Sequence, residues 1–159
     1  MLPIFARAAA IAARRQPEDF DISLEADVSQ LETLDQKVKA LGKNNPHIRA
    51  GLNKVGVRFV ANIKANFRKS QDPYGKQWKK LKYRDGQPLI DTGALRNSIK
   101  YDLWGTKVRL MSRLDYAGYH NNGRGVPKRR FTPDNRGLPA KWQKQYDKIM
   151  LEHVEKALK

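Results

Sequence analysis

Ile48, Leu52, Val55, Phe59, Ile63 and Phe67 recur three or four residues apart behind Pro46. That spacing places all six on one face of a helix. Lys54, Arg58 and Lys64 fall off the stripe, as expected for a core helix with a solvated back. Ser70 to Tyr74 ends it. A helix of this length with one continuous apolar face needs other elements to cover it.

Upstream, Phe20, Ile22 and Leu24 alternate with Asp21, Ser23 and Glu25, which predicts a half-exposed strand. Ser29 and Glu32 fit a capping box, and Leu31, Leu34, Val38 and Leu41 make the stripe of an earlier helix stopped by Gly42. Downstream, the spacing of Leu103, Val108 and Leu110 around Gly105 predicts an antiparallel hairpin. Asn121 to Gly125 reads as a loop, and Lys128 to Phe131 as a short strand ended by Pro133. Gly137-Leu138-Pro139 opens a last helix with Pro139 in its first turn. Trp142, Tyr146, Ile149, Met150, Val154 and Leu158 form its stripe. The order β-α-α-loop-β-β-β-α is α+β: a small antiparallel sheet packed with two or three longer helices. Residues 20–159 are expected to form a single domain, with residues 1–19 an N-terminal arm or helix. Met1 to Arg15 is Ala-rich and apolar at helical spacing. A transit peptide has a similar composition, but an amphipathic arm that docks on a partner is the preferred reading. Arg7 splits the apolar stretch and speaks against a signal peptide.

Composition excludes some chemistries. Without cysteine there is no disulfide or thiol chemistry, and His47, His120 and His153 are too scattered to replace thiolates as zinc ligands. No apolar run approaches the roughly 20 residues of a membrane span. Asp115 and His120 share no helical face, and Thr92 and Ser98 have no histidine near them in sequence, so no catalytic constellation emerges. His120 reads as a packed or interface residue.

Charge is the strongest compositional signal. The net charge is +16, yet Glu18 to Asp35 holds seven acids and no base. From Gln36 onward there are 29 basic and nine acidic residues. A field of that size points to nucleic-acid proximity without sequence-specific reading, because no DNA- or RNA-binding motif accompanies it. Solubility and pairing with an acidic neighbour are the plainer uses of the same charge.

The region from Asp72 to Ile99 is the least generic. Asp72-Pro73-Tyr74-Gly75 is a β-turn signature, with Pro73 setting φ and Gly75 accepting positive φ. Arg84-Asp85-Gly86-Gln87 is a second. Trp78 and Leu81 between them can cover one apolar spot, ringed by Lys76, Lys79, Lys80 and Lys82. Such a mix can stack with single-stranded nucleic acid; the preferred role for Trp78 is to seal the loop onto the core. Asp91 or Thr92 can cap a short helix, Gly93 lets the backbone pass closely, and Leu95 and Ile99 bury inward while Arg96 and Ser98 face elsewhere.

Four motifs stand in order: Asp-Pro-Tyr-Gly-Lys-x-Trp-x-x-Leu (Asp72 to Leu81), Pro-Leu-Ile-Asp-Thr-Gly-x-Leu-Arg-x-Ser-Ile (Pro88 to Ile99), Tyr-Ala-x-Tyr-His-x-x-Gly (Tyr116 to Gly123) and Pro-x-Arg-x-Phe (Pro127 to Phe131). This series resembles the phage virion morphogenesis family, the tail completion proteins of Mu-like and related tailed phages. The resemblance covers roughly Asp21 to Phe131 and, loosely, the last helix. It implies a structural subunit, with no enzymatic activity and no cofactor, that caps the tail at the neck and helps join it to the head. Tail terminator and head-side adaptor are neighbouring roles on such subunits. It implies a homo-oligomeric ring around the DNA path, hexameric by analogy, in contact with the tail tube and head-side neck proteins. The place implied is the virion tail or neck, after assembly in the host cytoplasm and without a membrane. The motif residues it singles out are Asp72, Gly75, Trp78, Leu81, Asp91, Thr92, Gly93, Leu95, Arg96, Ser98, Tyr116, His120, Gly123, Arg129 and Phe131. Lys76, Lys79, Lys80, Arg124, Lys128 and Arg130 are candidates for the DNA path or an acidic interface. The extension Met1 to Arg15 and the Gly- and Arg-rich Asn121 to Lys128 depart from the family pattern. A sequence-nonspecific basic nucleic-acid-binding module is the alternative on composition alone.

Overall fold

The computed structural model describes residues 21–22, 40–42 and 44–159. The expected arm, the Ser29–Glu32 capping box and most of the helix before Gly42 lie outside the described residues.

Asn45 starts the long helix α1 (Pro46–Lys69) by accepting from the backbone N–H groups of His47 and Ile48 through its side-chain oxygen, at 2.9 and 3.4 Å. Pro46 occupies the first turn, where its missing N–H costs nothing. The helix ends at Ser70 in the left-handed conformation (φ 51°), and Arg68 and Lys69 lie where cations favour a helix C-terminus. All six residues of the expected stripe are buried. Each contributes about 1.5–3 kcal/mol by leaving water.

Two layers cover that stripe. The last helix, labelled α4 (Ala140–Ala157), runs antiparallel to α1: Gly51 meets Met150 and His153, while Phe59 meets Trp142 and Tyr146 edge-on or tilted at 5.9 and 5.7 Å. Asn62 ties the pair by donating to Gln145 Oε1 and the Tyr146 hydroxyl. Burial pushes the Tyr146 hydroxyl well above its ordinary pKa, against a smaller opposing effect of the Asn62 bond. The other layer is the hairpin β2 (Lys100–Trp104) and β3 (Lys107–Met111), joined at Gly105 (φ 63°). Strand β1 (Asp21–Ile22) pairs antiparallel with β3, giving the order β1-β3-β2 and the register Asp21 to Met111. Val108 and Leu110 point into the core, as alternation requires. Gly56 is indispensable here, because a Cβ at that position would lie 2.2 Å from the Tyr101 ring.

The fold is α+β, as expected. Two short helices complete the described part, α2 (Ala94–Ser98) and α3 (Tyr116–Asn122). Three local expectations are corrected. Lys128 to Phe131 is not a strand: the N–H groups of Phe131 and Thr132 bond to the Asn121 side chain instead of a ladder. Asn121 and Asn122 are helical, and the loop begins at Gly123. Pro139 is the residue before α4 rather than within it, and Leu158 lies past its end, exposed. His153, absent from the predicted stripe, is buried.

Candidate functional site

The four motifs fold into one rim beside the C-terminal end of α1. Asp72 organises the first. Its Oδ1 accepts from the N–H groups of Tyr74 and Lys76 at 2.9 and 2.8 Å, and its backbone carbonyl accepts from Gly75 at 3.1 Å. Gly75 takes φ 92°, so the expected turn is present with glycine where φ is positive. The turn returns the chain so that Trp78 packs edge-on against Phe67, with ring centroids 5.4 Å apart. Trp78 Nε1 donates to the Arg130 carbonyl at 2.8 Å. The tryptophan therefore seals the loop onto the core, and its buried ring is unavailable for stacking on a base.

That bond is one of several between the first and fourth motifs. Arg129 Nε donates to the Lys79 carbonyl at 3.1 Å and Nη2 to that of Lys80 at 3.5 Å. The Tyr74 hydroxyl sits between Asp134 and Gly137, 2.9 Å from Asp134 Oδ1 and 2.7 Å from the Gly137 carbonyl, while accepting from Asp134 N–H at 3.0 Å. Burial raises its pKa, against the opposing pull of Arg136 and Arg130. Asp134 also binds Arg130 and Arg136 as ion pairs, and Arg136 stacks over the Tyr74 ring at 3.8 Å.

The third motif is joined to the fourth through Asn121. Its Oδ1 accepts from Phe131 N–H, Thr132 N–H and the Thr132 hydroxyl at 3.0, 3.2 and 3.1 Å, all buried. Arg129 N–H donates to the His120 carbonyl at 2.9 Å. Gly123 ends α3 at φ 78°, with Lys128 so close that a Cβ would lie 2.8 Å from it. Phe131 is fully buried against Phe67.

The second motif forms the facing wall. Thr92 Oγ1 accepts from Ala94 N–H at 3.3 Å, one residue before the cap position, which Gly93 occupies at φ 78°. Asp91 makes no cap. Leu95 and Ile99 are buried, and Ser98 bonds the Leu95 carbonyl and the Ser112 hydroxyl. Between the walls lies an open cleft of about 360 Å³ lined by Leu81, Leu89, Asp91, Tyr116, His120 and Arg129, among others. His120 Nδ1 is buried with no hydrogen-bond partner, and its ring meets Tyr116 edge-on at 6.1 Å. Burial, then the neighbouring Arg129, lowers the His120 pKa. Burial and Arg84 likewise lower that of Arg129.

The basic candidates separate by environment. Lys76, Lys79, Lys80, Arg124 and Lys128 are exposed. Arg129 is buried, and Arg130 is half-buried and paired with Asp134, so neither is a free surface cation. Arg96 is half-buried beside Gly93 and bonds Asn97. Tyr74, Asn121 and Asp134 hold the rim together yet were not singled out by sequence. Tyr74 lies inside the turn signature, and Asn121 and Asp134 carry side chains that habitually bond nearby backbone. Among the described residues, no group of three or more His, Asp or Glu side chains is placed to hold a metal, and no helix is long and apolar enough to cross a membrane.

No curated protein and no solved structure matches the chain. The sequence profile of the phage virion morphogenesis family does, over residues 29–146, a span that contains all four motifs and ends within α4. With the ordered motifs and the rim they build, this match makes the chain a member of the phage virion morphogenesis family.

Proposed function

We propose that the chain is a non-enzymatic structural subunit that completes the tail at the neck, working as a ring of copies around the DNA path and helping to join tail to head. The observation that carries this reading is the family match across all four motifs. Their convergence on one rim supports it, because side chains there are spent on holding loops in place, the requirement of a docking surface rather than of a reaction. The exposed Lys76, Lys79, Lys80, Arg124 and Lys128 suit a surface near phosphate, where contacts position without reading sequence. A closed ring needs two different patches per copy, and the acidic Glu18 to Asp35 against the basic remainder supplies charge of both signs. The N-terminal 19 residues would serve as an arm toward a tail or head protein.

The test is the mass of the purified chain with and without tail tubes, by native mass spectrometry and negative-stain microscopy. The expected result is a ring at the tube end, and unjoined heads and tails in lysates of a phage lacking the gene. A chain that stays monomeric with tubes present, or normal virions without it, removes the reading. The basic nucleic-acid module gains ground if the chain ignores tubes and instead coats DNA of any sequence.

A further inference from the structure

The side of α1 opposite its buried stripe carries charge of one sign only. Lys54, Val57, Ala61, Lys64 and Arg68 recur three or four residues apart, so they share one helical face, and Arg58 flanks it. Lys54, Val57, Arg58, Ala61 and Arg68 are exposed, and Lys64 is half-buried. No Asp or Glu occurs anywhere from Pro46 to Lys69. Among the described residues no carboxylate pairs with Lys54, Arg58, Lys64 or Arg68. Lys54 and Arg58 stand four residues apart, as do Lys64 and Arg68, and like charges at that spacing destabilise a helix.

The exposed side of α4 shows how this chain builds a face that only meets water. There Lys148, Glu152 and Lys156 alternate in sign four residues apart, the arrangement that supports a solvated helix. Helix α1 forgoes that support along its whole length, and its repulsion is relieved only when a polyanion lies along it. The composition of the face indicates which polyanion. Protein interfaces are rich in aromatic residues and poor in lysine. This face has no aromatic residue, and Val57 is its one sizeable apolar side chain. A DNA duplex carries one charge per about 1.7 Å of its axis, whereas Lys54 to Arg68 span about 21 Å of helix at about 1.5 Å per residue. Phosphate is therefore available opposite every cation. The short side chains of Val57 and Ala61 let a sugar-phosphate backbone come close. At Arg68 the stripe reaches the rim, where Gln87 Nε2 donates to the Arg68 carbonyl at 3.4 Å.

We propose that the exposed face of α1, through Lys54, Arg58, Lys64 and Arg68, is the surface of the subunit that lies along the DNA duplex and contacts its phosphates. The inference rests on the DNA-path reading above and names the element that meets the path. Contacts of this kind hold DNA without reading its sequence.

Two variants of equal charge test it, each checked by circular dichroism. Lys54→Gln, Arg58→Gln and Arg68→Gln together neutralise most of the α1 face. They also relieve both like-charge pairs, so this variant should unfold at a urea concentration no lower than wild type. Lys141→Gln, Lys144→Gln and Lys148→Gln remove the same charge from exposed positions of α4. Binding to a short DNA duplex is followed by fluorescence anisotropy over a salt series. The α1 variant is expected to flatten the slope of log affinity against log salt by about 2.7, at about 0.9 per contact, and the α4 variant to leave it near the wild-type value. Equal losses in the two variants mean that net charge alone acts, and overturn the inference. An unchanged slope in the α1 variant, with wild type binding DNA, also overturns it and leaves the DNA-path reading to the rim. An α1 variant that binds DNA as wild type does but no longer attaches to tail tubes overturns it in favour of an acidic protein partner. A wild type that binds no duplex at low salt removes the DNA-path reading, and this inference with it. If the triple variant does not fold, Arg58→Gln alone decides, with a loss of about 0.9 in slope expected and no loss refuting the inference.

Discussion

Replacing Asn121 by alanine removes one oxygen and strands three donors. Phe131 N–H, Thr132 N–H and the Thr132 hydroxyl all end on Asn121 Oδ1, between 3.0 and 3.2 Å, in a buried setting. A buried donor left unsatisfied costs about 1–3 kcal/mol. The full sum for three is not expected, since the space vacated admits water and the hydroxyl can rotate to another acceptor. A loss of about 3 kcal/mol is the reasoned value, near the lower end of that sum. For a chain of this size it lowers Tm by roughly 6–12 °C. Urea unfolding at pH 7, followed by tryptophan fluorescence, reads it directly, because Trp78 and Trp142 are both buried. Asn121→Asp is the control. It keeps the acceptor and adds a charge that the three donors stabilise, so it should retain most of the stability at pH 7 and lose it on acidification as the carboxylate protonates. An alanine variant within 0.5 kcal/mol of wild type, or an aspartate variant as unstable as alanine at pH 7, would refute the view that this oxygen holds the rim.

Three further outcomes are expected. Gly93→Val should destabilise by about 1–3 kcal/mol in urea unfolding, because φ 78° is strained for a β-branched residue, and Gly93→Asn should cost less; equal effects would remove the backbone argument. Burial, then Lys54 on α1 and Lys156 on α4, holds the His153 pKa below its ordinary 6.5. The stability this confers is fully present above the unfolded value and falls as pH drops through the folded one. Wild type should therefore lose more stability than His153→Leu between pH 7 and pH 5, and parallel losses would contradict the assignment. Replacing the exposed Arg124 and Lys128 by Gln should flatten the slope of log DNA affinity against log salt by roughly 0.9 per lost phosphate contact, equally for unrelated sequences; an unchanged slope places DNA elsewhere.

What was legible in the sequence divides along a physical line. The stripe from Ile48 to Phe67 and the hairpin around Gly105 were readable because periodicity and turn chemistry are local. The Asp72 turn was readable for the same reason. Lys128 to Phe131 was misread as a strand because an extended segment looks alike whether its N–H groups meet a neighbouring strand or one asparagine. Only the tertiary position of Asn121 decides between them. Arg130 reads with the other cations and Arg129 as a motif residue, since sequence cannot show that Arg129 is buried against the Lys79 and Lys80 carbonyls and Arg130 paired with Asp134. The cleft was invisible for a related reason: its lining comes from Leu81 and Leu89, Tyr116 and His120, and Arg129, which only folding assembles. The family motifs marked most of these residues without indicating that they meet.

The bond from Trp78 to the Arg130 carbonyl spans 52 residues, and that from Arg129 to Lys79 spans 50. On the ribosome, the first two motifs emerge long before the residues that hold them. A nascent chain that has exposed Asp72 to Ile99 has neither the Arg130 carbonyl to receive the indole nor the Phe131 ring to fill the space beside Phe67. The rim is thus completed only late in synthesis, and α4, with the Trp142 and Tyr146 that meet Phe59, emerges later still. A subunit built this way completes its rim only when nearly all of it has been translated, so an unfinished chain presents the first two motifs without the residues that hold them.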